Sequence, residues 1–324
     1  MQKLNDIYFS GRDDLIEEVQ AVLNDIYSRI SRDTPISQIV SDENLDLLSK
    51  AVNFDVHKDQ IRNAIGFQAR EMIKADNGEP KKRYSGNFYA THPICVAIGS
   101  EIIAKDIGVN DPNKRDRIIK LGLLHDVIEE GFMTSREGIV DELGLNEYIF
   151  HGVELLDVVP RGFDLKSESG LSSGNMAYAL FAYSFSKMKD VTLPIVELND
   201  RFEQLIDYDY LFKRSNPANR IITTMAERRV VVDAICDAHP KLSIYGEFYA
   251  RIEKRMLSDK RAKDIKELCV EKSEELLAKI KDELCGREGY FKDKLNEHLR
   301  SKGISSEMFF DFWFFLIFLI NNNY

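Results

Sequence analysis

Residues 113–130, with the sequence NKRDRIIKLGLLHDVIEE, join a strongly apolar run to an abruptly polar ending. The apolar side chains recur at helical spacing: Ile118, Ile119, Leu121, Leu123 and Leu124. This pattern predicts a buried α-helix from about Asn113. The helix leads directly to His125 and Asp126, so two residue types that commonly bind metal ions follow a buried element.

Helical spacing dominates the rest of the chain, which has only eight prolines and few stretches of alternating apolar and polar residues. The predicted helices lie near residues 15–26, 45–52, 61–73, 92–105, 191–206, 221–239, 245–256 and 260–285. The β-branched residues of 191–196 would also permit a strand, but the length of the segment and its polar continuation favour a helix. We therefore predict an all-α protein.

The motifs divide the chain into three segments. Residues 1–58 are predicted to form an N-terminal helical extension without a chemical motif. Residues 59–216 contain every motif described below, and residues 217–324 are predicted to be a C-terminal helical region. We therefore expect the chemistry to reside in the middle segment.

The composition indicates a globular protein with an acidic surface. The 324 residues are 44% hydrophobic, which is enough for one large or two ordinary domains. A formal net charge of -10 disfavours non-specific binding to nucleic acid, because such binding needs a basic surface. A bound nucleotide would therefore have to meet a local cationic pocket.

The cysteines and the apolar segments indicate a protein of the reducing cytoplasm. The four cysteines have no CxxC spacing, and each lies in a stretch that suits a buried thiol: Cys95, Cys236, Cys269 and Cys285. The N-terminal residues lack the apolar core of a signal peptide. The apolar run Phe309 to Ile320 is shorter than the roughly 20 residues that span a bilayer, and it contains Asp311. We expect this run to be a helix docked on the body or at a dimer surface.

Four residues from separate parts of the chain form a candidate metal site. Pro93 is typical of the first turn of a helix, which would place His92 at the helix cap. An adjacent His and Asp can share an ion only where helices converge, so two further ligands must come from elsewhere. The complete set is His92, His125, Asp126 and Asp200. Such nitrogen and oxygen ligands suit Mn, Fe, Co, Ni or Zn and leave positions for water and substrate.

Glu129 and Glu130 are candidate catalytic residues. Glu129 lies four residues after His125 and three after Asp126, which would place it on the same helix face. A carboxylate beside a metal site can orient a water molecule or move its proton. The alternative is that both glutamates belong to a solvated acidic helix end before Gly131.

Three ordered motifs resemble the hydrolase domain of the RelA/SpoT-type (p)ppGpp hydrolases, which are HD-domain phosphohydrolases. KKRYSGNFYATHPICVA is similar to the family's Arg-x-Ser-Gly loop followed by Tyr-x-x-His-Pro. LLHDVIEE is similar to its Leu-Leu-His-Asp-Val-x-Glu-Asp box. KDVTLPIVELNDR is similar to a Lys-Asp pair followed, ten residues after its Asp, by Asp-Arg. The resemblance spans about residues 61–206, and the remainder has no evident equivalent of the family's nucleotide-synthesising domain.

The resemblance implies an HD-domain helical bundle with additional N- and C-terminal helices. It also implies a Mn-dependent hydrolase that removes the 3' pyrophosphate of (p)ppGpp. The positions matching the family's Mn ligands are His92, His125, Asp126 and Asp200. The family's acidic pair, which positions or activates water, corresponds to Glu129 and Glu130.

The resemblance also implies a set of substrate-binding residues. The loop arginine that contacts the nucleotide in the family corresponds to Arg83, with Ser85 beside it. Lys82 belongs to the same basic loop and is a candidate for phosphate binding. Gln204 stands where the family has an Asn, four residues after the last metal ligand.

Several positions depart from the family pattern near the expected substrate. Tyr84 and Glu197 stand where the family commonly has lysines, so two cations are missing and one is replaced by an anion. The family's Gly-Val-Thr segment is Gly152, Val153 and Glu154 here. Every presumed metal ligand is present. The metal site is therefore a firmer prediction than the substrate.

Two other functions stay open beside hydrolysis of (p)ppGpp. The same chemistry could act on another phosphorylated nucleotide or cofactor, as the departures allow. A regulatory module could instead bind a nucleotide or metal without turnover, although the presence of Glu129 argues against it. The C-terminal helices, with their aromatic run, are also a plausible surface for a homodimer.

Overall fold

A computed structural model describes residues 2–31, 33–49, 58–75, 79–83, 85–132, 138–157, 164–213 and 215–304. This described part is all-α, as predicted, and its only β-type pairing is an isolated bridge between Lys82 and Phe88. Tyr84 and the apolar run of residues 309–320 lie outside the described residues, so the expectations placed on them stay predictions. None of the described helices is long and apolar enough to cross a membrane.

The described helices include a counterpart for each predicted helix and also five that were not predicted, at residues 2–5, 147–156, 173–187, 209–212 and 288–301. The described α-helices are α1 Gln2–Asn5, α2 Arg12–Arg29, α3 Asp42–Ser49, α4 Lys58–Ala75, α5 Thr91–Asp106, α6 Pro112–Leu124, α7 Glu147–Leu156, α8 Ser173–Lys187, α9 Thr192–Ile206, α10 Asp209–Phe212, α11 Pro217–Ala238, α12 Ile244–Met256, α13 Lys266–Gly286 and α14 Glu288–Ser301. The strand alternative is wrong, because 191–196 opens α9, whose first amide donates to Asp190 Oδ1 at 2.7 Å. The predicted helix 260–285 is divided into a 3-10 turn, Lys260–Ala262, and α13.

The chain forms two compact units that do not coincide with the three predicted segments. The first unit consists of Met1–Asp157 with Ile195–Glu203, and the second of Val158–Pro194 with Gln204–Tyr324. The first unit therefore groups the N-terminal helices with the helices that carry the predicted ligands. The predicted sequence segments 1–58, 59–216 and 217–324 stay predictions.

α5 is the central helix of the first unit. Every side chain from Thr91 to Ala104 is buried, as expected for a helix that is surrounded by protein. α6 begins with Asp111 as N-cap, whose side chain accepts from the Asn113 amide at 2.9 Å, and with a proline in its first turn. A Cβ atom on Gly122 would lie 2.7 Å from the Ala97 Cα atom, so only glycine permits this close approach of α6 to α5.

The second unit is a helical bundle in which α8, α11 and α13 pack on one another. α8 begins with a capping box between Ser172 and Asn175. The prediction of four buried thiols is wrong for Cys285, which is exposed, whereas the other three cysteines are buried. Cys285 lies outside the buried face of α13, which includes Ile280 and Glu283.

Candidate metal centre

The four predicted ligands converge within the first unit. His92 Nε2 lies 3.1 Å from Asp200 Oδ1 and 3.3 Å from Asp126 Oδ2. His125 Nε2 lies 3.1 Å from Asp126 Oδ1 and 3.3 Å from Asp200 Oδ1. The two Nε2 atoms are 3.2 Å apart, and all four side chains are buried. Side chains from α5, from the end of α6 and from α9 therefore meet at one point.

Local structure at the N-terminal end of α5 explains the position of His92. The predicted cap position is wrong, because α5 begins at Thr91 and its N-cap is Ala90. The Thr91 and His92 amides donate to the carbonyls of Phe88 and Tyr89 at 3.1 and 3.0 Å, so a turn precedes the helix. His92 therefore lies in the first full turn of α5.

The lone pairs of the cluster face one another. His125 Nδ1 lies 2.8 Å from the Gly122 carbonyl oxygen. A carbonyl only accepts, so Nδ1 carries the proton and Nε2 of the neutral ring presents a lone pair. That lone pair faces carboxylate oxygens and the His92 ring nitrogen, an arrangement that a proton or a metal ion between these atoms would stabilise. The donor set of two imidazole nitrogens and two carboxylates fits a divalent transition metal.

The electrostatics of the cluster support the same conclusion. Burial opposes a charge on His125, but the carboxylates of Asp126 and Asp200 raise the pKa of His125 well above its ordinary value. Burial likewise opposes charge on Asp126, yet the positive charge on His125 lowers the pKa of Asp126. A proton on His125 can therefore balance the carboxylates, and a bound metal ion would displace that proton.

Arg201 supports Asp200 from behind the cluster. Its Nη2 atom lies 3.6 Å from Asp200 Oδ2, which is within the distance of an ion pair. Its Nε atom donates to Glu197, and both of these side chains are at least 96% buried, with exposures of 4% and 3%. Burial raises the pKa of Asp200, but the Arg201 charge and the histidine hydrogen bonds lower it well below the ordinary value. The unusual Glu197 is thus engaged in orienting Arg201.

Glu129 is the more exposed of the two predicted catalytic glutamates. The expected shared helix face is wrong, because α6 ends at Leu124 and residues 125–130 form turns. The residue is exposed, and its carboxylate makes no hydrogen bond or ion pair among the described residues. Desolvation of the carboxyl group by nearby protein, together with the charges of Asp126 and Asp200, raises the pKa of Glu129 to about 7. Such a group can exchange a proton near neutral pH.

Glu130 is instead held in a network with two residues of the preceding loop. Its Oε1 atom accepts from the Tyr89 hydroxyl at 2.7 Å, and its Oε2 atom pairs with Lys81. The Lys81 ammonium also lies 4.4 Å from the centroid of the Tyr89 ring. The Tyr89 hydroxyl is 3.3 Å from Asp126 Oδ2. The Tyr89 hydroxyl therefore links Glu130 to Asp126, a predicted metal ligand.

Tyr89 was not predicted to have a role, whereas Lys81 belongs to the basic loop that was predicted, together with Lys82 and Arg83, to bind phosphate. Burial and then the charges of Asp126 and Glu130 raise the pKa of Tyr89 well above its ordinary value, so it acts as a hydrogen-bond donor. The sequence does contain a signal, since Tyr89 is the tyrosine of the Tyr-x-x-His-Pro motif, three residues before His92.

The predicted substrate-binding residues are more exposed to solvent than the four predicted metal ligands. Arg83 is half-buried, and its charge acts on Tyr89, where it partly offsets the rise in pKa. Lys82 and Ser85 are exposed. The Lys82 ammonium lies 5.6 Å from the centroid of the Phe88 ring, and none of its described contacts reaches the ligand cluster. Gln204 is half-buried on α9, one turn after the last ligand.

Comparisons with family models, with curated proteins and with solved structures found no match to this chain. The functional inference therefore rests on the chemistry of these residues and on the motif resemblance described above.

Proposed function

We propose that this chain is a metal-dependent phosphohydrolase of the HD type. The observation that carries the proposal is the convergence of two imidazoles and two carboxylates whose lone pairs face one another. Proteins rarely bury two carboxylates and two imidazoles together without a cation, because the desolvation of each charge is costly. Four protein ligands from three helical segments suit one ion per chain.

The proposed ion is Mn²⁺ or another divalent transition metal. Imidazole nitrogens favour Mn, Fe, Co, Ni or Zn over Mg and Ca, whose sites are built from oxygen ligands. Such an ion supplies Lewis acidity, which makes water a stronger acid and polarises phosphoryl oxygens.

The residues around the ion divide the remaining work. Glu129 is an exposed carboxylate close to Asp126 and Asp200, and it is suited to take a proton from the attacking water. Glu130 holds Lys81 and Tyr89 in place and keeps a positive charge beside the ligands. Arg83 adds a second cation in the same loop. These cations suit the negative charge of a phosphate group.

The substrate we propose is (p)ppGpp, from which the enzyme would remove the 3' pyrophosphate. This step rests on the motif resemblance, with Arg83, Ser85, Lys82 and Gln204 binding the nucleotide. The reaction would take place in the cytoplasm, and the C-terminal helices would form a homodimer.

A specific observation favours a second candidate, namely another phosphorylated nucleotide or cofactor. The family's lysine position is occupied by Glu197, which is buried and paired with Arg201. One cation that the family offers to its substrate is therefore replaced by a carboxylate that contacts a neighbouring side chain. This difference predicts altered recognition with the same hydrolytic chemistry.

The test is a hydrolysis screen of the full chain with Mn²⁺ and, in parallel, after dialysis against a chelator. The panel would contain guanosine 3',5'-bis(diphosphate), ordinary nucleoside triphosphates and other phosphorylated nucleotides. We expect metal-dependent release of pyrophosphate from a 3' position, measured by separation of the products. A protein that binds one metal ion but cleaves no member of the panel would favour the regulatory module instead.

A further inference from the structure

The N-terminal segment, residues 2–29, contacts α5, which carries His92, and α9, which carries Asp200. It contributes three side chains to these contacts: Tyr8, Arg12 and Gln20. Tyr8 and Arg12 are buried, and Gln20 is half-buried. The sequence of this segment carries no chemical motif, so its proximity to the ligand helices is the feature that needs an explanation.

Tyr8 contacts the residue immediately before a metal ligand. Its hydroxyl donates to Asn199 Oδ1 at 2.7 Å, and both side chains are fully buried. Asn199 precedes Asp200 on α9. Removing the hydroxyl would leave a buried amide oxygen without this donor, which is costly in a buried position.

Asn199 in turn fixes α9 against α5. Its Nδ2 atom donates to the carbonyl of Val96 at 2.9 Å and approaches that of Cys95 at 3.4 Å. Val96 lies four residues after His92, about one turn along the same helix. A Cβ atom on Gly99 would lie 2.4 Å from Asn199 Oδ1, so glycine leaves the room that this contact requires. One side chain therefore sets the spacing between the helices of His92 and Asp200.

Two further contacts hold the same helices. Arg12 forms a two-point ion pair with Glu203, one turn after Asn199 on α9, at 2.7 and 2.5 Å. Gln20 donates to the Thr91 hydroxyl and accepts from the Phe88 amide at 3.3 Å, directly before His92. The segment therefore contacts α5 at its start, next to His92, and α9 on either side of Asp200.

We infer that the N-terminal segment is a positioning element of the metal centre, acting chiefly through Tyr8 and Asn199 on the spacing of His92 and Asp200. This inference rests on the metal site of the proposed function. Ligands must stay within about 0.5 Å of their productive geometry, and supporting contacts commonly change metal affinity by about 10-fold to 100-fold. Tyr8 is a positioning residue, since it contacts neither ligand directly.

The test compares two substitutions that each remove one tyrosine hydroxyl from the same segment. Tyr8→Phe should weaken Co²⁺ and Mn²⁺ binding by about 10-fold and change the visible absorption spectrum of bound Co²⁺. Tyr27→Phe is the matched control, because the Tyr27 hydroxyl is buried with no hydrogen-bond partner among the described residues. Its metal affinity and Co²⁺ spectrum should equal those of the parent chain.

The melting temperature of each metal-free protein separates positioning from folding. If Tyr8→Phe lowers only the melting temperature, with the affinity and the Co²⁺ spectrum of the Tyr27→Phe control, the inference is wrong and the proposed function survives. If the parent chain binds neither ion, both are wrong. Should Tyr8→Phe fail to fold, Gln20→Ala provides the test at the half-buried brace beside His92. Unchanged metal affinity and Co²⁺ spectrum in Gln20→Ala would then overturn the inference.

Discussion

Two buried polar clusters, one in each compact unit, differ in how the negative charge of their carboxylates is balanced. In the second unit, Glu283 receives its donors from the protein itself. It accepts from the backbone amides of Glu168 and Ser169 at 2.8 and 3.0 Å and pairs with Arg287. Its side chain is only 2% exposed, yet its charge is fully matched. This cluster fastens the loop before α8 to α13.

In the first unit, the carboxylates of Asp126 and Asp200 face imidazole nitrogens at 3.1 to 3.3 Å. The Arg201 guanidinium approaches this cluster, at 3.6 Å from Asp200 Oδ2. We expect the remaining positive charge to be a proton on a histidine or an ion from solution. A binding site is therefore distinguished from a structural cluster by where its counter-charge comes from, since both kinds are buried and polar.

The largest effect that this comparison predicts is the loss of the ion from the first cluster. Asp200→Ala removes an anionic ligand and should abolish both metal binding and hydrolysis, measured by elemental analysis and by product release. Glu283→Gln should keep about one ion per chain. Retention of full metal occupancy by Asp200→Ala would show that the first cluster is also only structural.

A second prediction concerns water handling beside the ligands. Glu129→Gln preserves shape but cannot accept a proton, so turnover should fall by roughly 10²-fold or more while metal occupancy stays constant. Glu17→Gln, an exposed glutamate on α2, is the control and should match the parent. If Glu129→Gln cleaves every substrate as fast as the parent, Glu129 is a solvated residue without a catalytic role.

The sequence predicts most of the long helices and the convergence of His92, His125, Asp126 and Asp200, because both depend on local patterns. Their role as metal ligands stays a prediction. The buried run before His125 and the proline after His92 each indicate a helix. The different roles of Glu129 and Glu130 could not be predicted, since they depend on the turn after α6 and on contacts with a separate loop. The bond from Tyr8 to Asn199 joins positions 191 residues apart, and one sequence contains no local pattern for such a contact.

A third prediction sharpens the comparison through pH. The carboxylates raise the pKa of His125, so a proton competes with the metal ion even near neutral pH. Metal affinity should therefore increase with pH, by up to about 10-fold per pH unit while one proton is released per ion. Calorimetry in buffers of different ionisation enthalpy would count the protons. The range from about pH 6 to about pH 8 roughly spans the ordinary pKa values of histidine. A metal affinity that stays constant across this range would contradict the competition.

The smallest predicted effect is at the structural cluster. Glu283→Gln removes the charge that pairs with Arg287 and should lower the free energy of unfolding at pH 7 by about 1 to 3 kcal/mol, followed by circular dichroism in denaturant. Glu288→Gln is the control, because its side chain is 63% exposed in its pair with Lys187, and it should have no measurable effect. Metal affinity should not change in either variant.

The pH dependence of this loss separates charge from packing. Burial raises the pKa of Glu283, but hydrogen bonds from Ser169, the Glu168 amide and Arg287 lower it to about 2, below its usual value of 4.5. A lowered pKa stabilises the fold fully above about pH 4.5, and this contribution disappears as the pH falls through about 2. The difference between Glu283→Gln and the parent should therefore shrink across this window. A difference of constant size would mean that Glu283 acts through shape and packing, and that its charge does not need the counter-charges that surround it.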